Sequence, residues 1–492
     1  MSVSKKIAKN TIIQLVGKVF STILGLLSLA LMTRYLGQNG FGEYTTILNF
    51  LTIFAVFADF GLTLVTVQMI SGVKEKEKES KILNNLFTFR LLSIIVFLSL
   101  SPLVLFFTPY SQAIKLGILI TAPYFIFPAL TQIIVGLLQK RLHMERAVIA
   151  ELASRIILIL GIILIARFDK GLTGILLATI LSGATSFLFH YFLARKFTRL
   201  RLAWDFTLWR KIILRSWPLA ITIILNLLYL KTDIVFLSLF KSSAEVGLYA
   251  AAYRVIDVLT TIPFMFAGLI LPILTTAWLE NKKEYFKKTL QKSFDFMTIT
   301  ALPLIVGGIM LSKPIMLIVA GDDFAASGKI LNLLIIAVGF IFLGTMFSHA
   351  VIALDKQKKL IGFYIFTSIT ALAGYLILIP RFSYFGAATI TIYSEAIISI
   401  FAAYCVFKYS HFLPKLNILI KSVFASFLMG FFLYIYPNSL KNDFIELSLA
   451  IILASIIYFL FLFLLGGIHL NDLKTIFKRT KTPQTYKSIN GI

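Results

Sequence analysis

The chain has 492 residues, 59% of them hydrophobic, with a mean hydropathy of +0.91 and a formal net charge of +25 at pH 7. No soluble core hides that much apolar side chain and still leaves a wettable surface, so a soluble globule is excluded and an all-α polytopic membrane protein is expected. The basic excess would by itself suit nucleic acid, but its placement along the chain accounts for it without such a partner, and no nucleic-acid binding is expected.

Fourteen hydrophobic runs are predicted, at 11–33, 44–70, 82–107, 113–138, 147–167, 171–193, 216–240, 249–277, 293–318, 328–354, 359–379, 384–407, 416–436 and 444–467. Each is near the ~20 residues that a bilayer-spanning helix needs. Lys and Arg alternate from one connection to the next: counting those near the ends of the runs with the adjoining connection, 33 of the 47 belong to the first ten residues, every second connection and the tail, against 9 at the opposite connections. By the positive-inside rule this places both termini in the cytoplasm, as an even number of spans requires. The first run exceeds twenty residues and further spans follow it, so it is read as a retained helix rather than a cleaved leader. Trp204, Trp209, Trp217 and Trp278 all fall at predicted cytoplasmic boundaries, where an amphipathic ring prefers the headgroup layer.

The longest polar interruption, 194–215, carries seven basic residues and a helical spacing of Trp204, Leu208, Trp209, Ile212 and Ile213. It reads as an amphipathic helix on the inner membrane surface, in contact with membrane lipid. It divides the chain into a six-helix lobe at 1–193 and a second at 216–407, followed by two further helices at 408–470 and a basic tail at 471–492. Weak internal repetition agrees. Gly42-Glu43-Tyr44 matches Gly247-Leu248-Tyr249 at an offset of 205, and Gly174, Thr179 and Ser182 match Gly386, Thr391 and Ser394 at an offset of 212. A repeat of six helices implies lobes of parallel topology related by an axis along the membrane normal.

The hairpin TRYLGQNGFGEY at 33–44, with NTIIQLVGKVFSTILGL before it and a long span ending in ADFGL after it, resembles the polysaccharide and O-antigen (Wzx-type) flippases of the multidrug/oligosaccharidyl-lipid/polysaccharide exporter superfamily. That resemblance implies export of a polyprenyl-diphosphate-linked glycan across the cytoplasmic membrane, through a central cavity between two lobes. It also implies traffic with a polysaccharide polymerase machinery, and no catalytic residue or cofactor. Peptidoglycan-precursor flippases are similar but tend to carry several arginines in the first two spans, where this chain has Lys18 and Asp59. Drug exporters of the superfamily usually stop at twelve spans.

Ionisable side chains inside a span are costly and mark cavities or partners. The basic set is Lys18, Arg90, Arg155, Lys231 and Arg254, and the diphosphate that the resemblance implies would need such cations to leave water. Lys18 and Lys231 have no acid three or four residues away and are the leading candidates. Arg254 has Asp257, and Arg155 has Glu151, within one helical turn. Asp59, Asp233 and Glu395 are candidates for a coupling proton or sodium ion, or for charge compensation of the basic set. Asp322 and Asp323 lie in a short connection with no third ligand, the five histidines are scattered, and Cys405 is single, so neither a metal site nor an intrachain disulfide is expected. Prolines at 123, 128, 263, 272 and 303 are expected to bend spans four, eight and nine. Reporter fusions at Lys241 and Lys441 should report an extracytoplasmic position and fusions at Lys283 and Lys478 a cytoplasmic one; one reversed reading would overturn the topology.

Overall fold

In the computed structural model, residues 3–73, 75–436 and 444–468 are described, apart from the side chains of 3–9, 11, 64, 218, 219, 221–223 and 225–231. The described residues contain helices and no strand. In chain order the helices are α1 (Val3–Asp59), α2 (Leu62–Ser71), α3 (Lys76–Ser99), α4 (Ser101–Phe106), α5 (Gln112–Thr121), α6 (Ile126–Lys140), α7 (Met144–Arg167), α8 (Gly171–Ala194), α9 (Phe206–Phe240), α10 (Ser243–Leu279), α11 (Lys283–Ala320), α12 (Ser327–Ala353), α13 (Ile361–Ser410), α14 (Asn417–Ile435) and α15 (Phe444–Leu464).

Two of these helices cross the apolar layer twice. α1 turns back at Gly37, whose φ of 62° suits a residue without a Cβ, and α13 turns at Ser383 with φ 52°. α3 with α4, and α5 with α6, each form one span. Pro123 and its neighbours make a short 3-10 turn inside the second of these, so span four is interrupted where proline removes a helical donor. Pro263 and Pro272 lie inside α10, and Pro303 and Pro314 inside α11. Among the described residues, eleven continuous stretches are long and apolar enough to span a bilayer, two of them double, and α9 supplies the last of fourteen crossings. The protein is a multi-pass helical membrane protein. The face at which α1 begins is called the near face below, and the face of the Gly37 turn the far face.

The segment leading into α9 is held by hydrogen bonds rather than left as a free linker. Asn84 Oδ1 accepts from Arg201 N, Thr88 Oγ1 from Ala203 N, and the buried Asn85 Oδ1 from both Asp205 N and Trp209 Nε1. Asp205 then caps α9 by accepting from Leu208 N, and its carboxyl is held below the ordinary aspartate range by the hydrogen bond from Lys81, 2.7 Å away, and by that backbone donor. Ile212 is fully buried among Leu62, Ile70, Leu83 and Leu137, whereas Trp204, Phe206 and Leu214 are exposed. The amphipathic pattern expected at 194–215 is therefore present, but its helix starts at Phe206 and runs unbroken into span seven instead of ending at Arg215. The tail at 471–492 lies outside the described residues.

The internal repeat has a physical counterpart. Tyr44 OH lies 3.3 Å from Thr179 Oγ1, and Tyr249 OH lies 3.3 Å from Thr391 Oγ1, so the two matched motifs make the same hydrogen bond twice. α14 and α15 pack on each other and on α11, around Tyr458, whose hydroxyl donates to the Ile299 carbonyl. Asn85→Ala would leave the part-buried Asp205 N–H and Trp209 indole N–H without their acceptor, at roughly 1–3 kcal/mol for a donor that water does not reach. A fall in the thermal midpoint of the detergent-solubilised protein, accompanied by a shift in tryptophan emission, is the expected result.

Candidate functional site

α1, α6, α7, α8 and α10 enclose a cavity of about 1110 Å³. It runs from Tyr44 and Thr179 deep in the layer to Met144, His190 and Leu269 toward the near face. Beyond it, closer to the far face, lies a narrower chamber of about 280 Å³ between one face of α1 and α10. The two spaces share Lys18, Tyr44, Arg155, Leu158, Arg254, Asp257 and Thr261, so the cations stand at the junction between them.

Lys18, Arg155 and Arg254 come from three different helices and meet at this one place. Neither Lys18 nor Arg155 has an ion-pair partner among the described residues. Arg254 stands 3.9 Å from Asp257, one turn along its own helix, and both are partly exposed to the cavity. Glu151 does not pair with Arg155 as the helical spacing suggested; it accepts a 2.5 Å hydrogen bond from Ser21 of α1. A tertiary donor holds the acid, and Arg155 lines the cavity.

The other charges predicted from sequence are placed elsewhere. Arg90 is buried and forms an ion pair with Asp59, donates to the Asp59 backbone carbonyl at 3.0 Å, and does not line the cavity. Asp59 also accepts from Thr63 Oγ1 at 2.6 Å. These two charges offset one another across 31 residues, a partnership that no local spacing encodes. Asp233 is buried and accepts from Tyr249 OH at 2.6 Å; Glu395 is buried on α13. Both belong to the second half of the chain and neither lines the cavity. The Lys231 side chain lies outside the described residues.

The far face is sealed by backbone contact. A Cβ on Gly42 would overlap the Ser243 carbonyl oxygen, and one on Gly247 would overlap the Gln38 carbonyl oxygen and stand 3.1 Å from Gly42 N. The repeat-matched glycines therefore face each other across the two halves. Around them Arg34 Nη2 donates to the Ile318 carbonyl at 2.7 Å, at the negative end of α11, and Gln38 donates to the Asp323 carbonyl. Tyr110 and Ser238 hydroxyls lie 2.8 Å apart, and Lys241 donates to the Pro380 carbonyl at 3.0 Å. The cavity is thus closed at the far face and reaches toward the near one.

With this geometry in view, comparison with known proteins is decisive. Residues 7–278 match the family described as "Polysaccharide biosynthesis protein", and residues 218–377 match "MatE". The chain belongs to the polysaccharide biosynthesis protein family. Its fold is that of transporters of the multidrug/oligosaccharidyl-lipid/polysaccharide exporter superfamily. The chain is 23% identical over 404 residues to a Shigella flexneri protein named "Putative O-antigen transporter", covering 78% of this chain and 93% of that one. Among solved structures, an inward closed lipid II flippase MurJ superposes with a TM-score of 0.76 at 19% identity, covering 93% of this chain and 99% of that one. An inward-facing multidrug resistance transporter of the MATE family gives 0.65 at 14% identity, covering 82% and 98%. These likenesses establish a shared fold.

If the glycine contact is what closes the far face, adding a single methyl group there should open it. In a Cys405→Ser background, Ser28→Cys should resist a membrane-impermeant maleimide applied from the far side and become reactive when Gly42→Ala is added. Equal labelling of the two proteins would refute the seal.

Proposed function

We propose that this family member is a flippase that moves a polyprenyl-diphosphate-linked oligosaccharide across the cytoplasmic membrane for cell-surface polysaccharide synthesis. The observation that carries this reading is the meeting of Lys18, Arg155 and Arg254 at one point of a large cavity, two of them without an acid among the described residues. An unpaired cation at span depth is penalised by ~2.5–3.5 kcal/mol on insertion scales, so it persists where water or an anion receives it. A diphosphate suits the cluster: arginine holds two oxygens at once, and lysine adds a point charge. Lys231, on α9, is proposed to join them. The Shigella relative, named for O-antigen transport, points to the same class of cargo.

In this reading 1–193 and 216–407 are two lobes that rock about the far-face contact, with 408–470 packed outside. The near face is cytoplasmic, both termini lie there, and the cavity loads from that side. The glycan then leaves toward the polymerase machinery. Asp233 and Glu395 are the candidates for a coupling ion, whereas Asp59 is committed to Arg90. Export of cationic drugs fits the cation cluster poorly, because like charges repel in a site of low dielectric. A peptidoglycan-precursor lipid also carries a diphosphate and differs only in what the sugar bears.

Charge is the property at issue. Lys18→Ala, Arg155→Ala and Lys231→Ala should each lower flipping by about ten- to a hundredfold, the equivalent of one lost hydrogen bond to a charged group, while Lys18→Arg keeps most of it. The measurement is export of surface glycan at matched levels of membrane-inserted protein. Normal export by the Lys18 and Arg155 alanine variants would end the binding role of the cluster.

A further inference from the structure

We propose that the narrow chamber beyond the cation cluster is the seat of a single sugar ring, the one joined directly to the diphosphate of the cargo. This rests on the lipid-linked glycan reading and adds to it a site that selects the first sugar.

The chamber is shaped by sequence spacing. Lys18, Thr22, Gly25, Leu29 and Met32 recur at three- and four-residue intervals and form one face of α1, while Ile23 and Leu27 on the opposite face are exposed toward lipid. Across from them stand Val258 and Thr261 of α10. The wall alternates hydroxyl and apolar groups: Ser21, Thr22, Ser28, Thr261 and the Tyr44 phenol among aliphatic side chains. A sugar ring has the same character, with hydroxyls around its edge and C–H groups on its faces. The charged residues lining the chamber, Lys18, Arg155, Arg254 and Asp257, are those shared with the main cavity, so the diphosphate belongs at the mouth rather than inside. A lipid tail is a poor occupant: Ser21, Ser28 and Thr261 donate their protons within the protein, to Glu151 and to the Leu24 and Asp257 carbonyls, and their oxygens keep lone pairs that a sugar O–H can meet and a hydrocarbon cannot. At about 280 Å³ the chamber holds the liquid volume of roughly nine waters, room for one ring and not for a chain of them.

Gly25 marks the space as functional. Glycine inside a membrane helix ordinarily permits close packing, as Gly17 does against Val148 on the same helix. A Cβ on Gly25 would meet nothing within 4 Å. Packing therefore does not account for this glycine, which suits a helix less well than alanine. What it leaves behind is chamber volume, next to the point where the diphosphate would bind.

The test uses the full-length protein in nanodiscs and two probes: a polyprenyl diphosphate, and the same lipid bearing one N-acetylhexosamine. The unmodified protein should bind the sugar-bearing lipid about tenfold more tightly, as one or two net hydrogen bonds provide. Gly25→Ala, Gly25→Val and Gly25→Leu should remove that preference in order of size while leaving affinity for the bare diphosphate intact, which also shows that each variant is folded. Equal affinity of Gly25→Leu and the unmodified protein for the sugar-bearing lipid would overturn the proposal. So would a parallel loss for both probes, which would place the diphosphate itself in the chamber. Failure of the unmodified protein to bind either probe would instead strike at the flippase reading, a result distinct from both.

Discussion

Two glycines that meet backbone to backbone at the far face fix the geometry of everything below them. Gly42 and Gly247 allow α1 and α10 to approach more closely than any side chain permits, and the Arg34 and Gln38 hydrogen bonds hold neighbouring segments in register there. Matched positions of a repeat that touch each other form a self-complementary contact, the arrangement expected on an axis relating two similar halves. Helices pinned at one end diverge toward the other, and the divergence creates the cavity. Opening the far face therefore requires this contact to separate, so the same glycines that close one side set where the other can open.

The cost of charge in hydrocarbon is met in three ways. Arg90 and Asp59 neutralise each other inside the first half, a buried pair in which removing either partner would strand the other. At the near face the buried Glu79 takes both Lys140 and Arg141, and Lys140 also donates to the Val73 carbonyl, which ties α3 to the end of α6. The third solution is an open space. Lys18, Arg155 and Arg254 stand where two spaces join, and their field extends into both. Only this last arrangement leaves cationic charge available to a ligand.

Most of the fold was legible in the chain because hydropathy and loop charge are properties of single segments. The fourteen crossings follow from run length alone, and the prolines of span four announce its interruption. The glycine–tyrosine and threonine matches were visible as letters, but their meaning, the same Tyr–Thr hydrogen bond made twice, exists only once distant helices meet. The site was partly legible. Intramembrane cations flagged themselves by type, yet sequence spacing gave Arg155 a partner that it does not have, because Ser21 of another helix holds Glu151. It offered Asp59 as compensation for the basic set as a whole, without singling out Arg90, which lies beside it in space. The hydroxyl face of α1 went unnoticed, since serine and threonine in membrane helices commonly bond to their own backbone, as Ser28 does to the Leu24 carbonyl.

The repeat also reveals how the two halves have diverged. At the offset of 205 that aligns Gly42 with Gly247, Ser28 aligns with Asp233 and Gly25 with Leu230. In the first half, small residues at these positions leave the chamber open beneath Tyr44. In the second, the matched tyrosine, Tyr249, donates to the carboxylate of the buried Asp233. A cation cluster beside a void is suited to an anionic, hydroxyl-rich cargo. A carboxylate enclosed among tyrosines is suited to a small positive charge. In the proposed reading, one scaffold used twice separates the chemistry of the cargo from the chemistry of any ion that drives it, with the helices that share the far-face contact as the physical route between them.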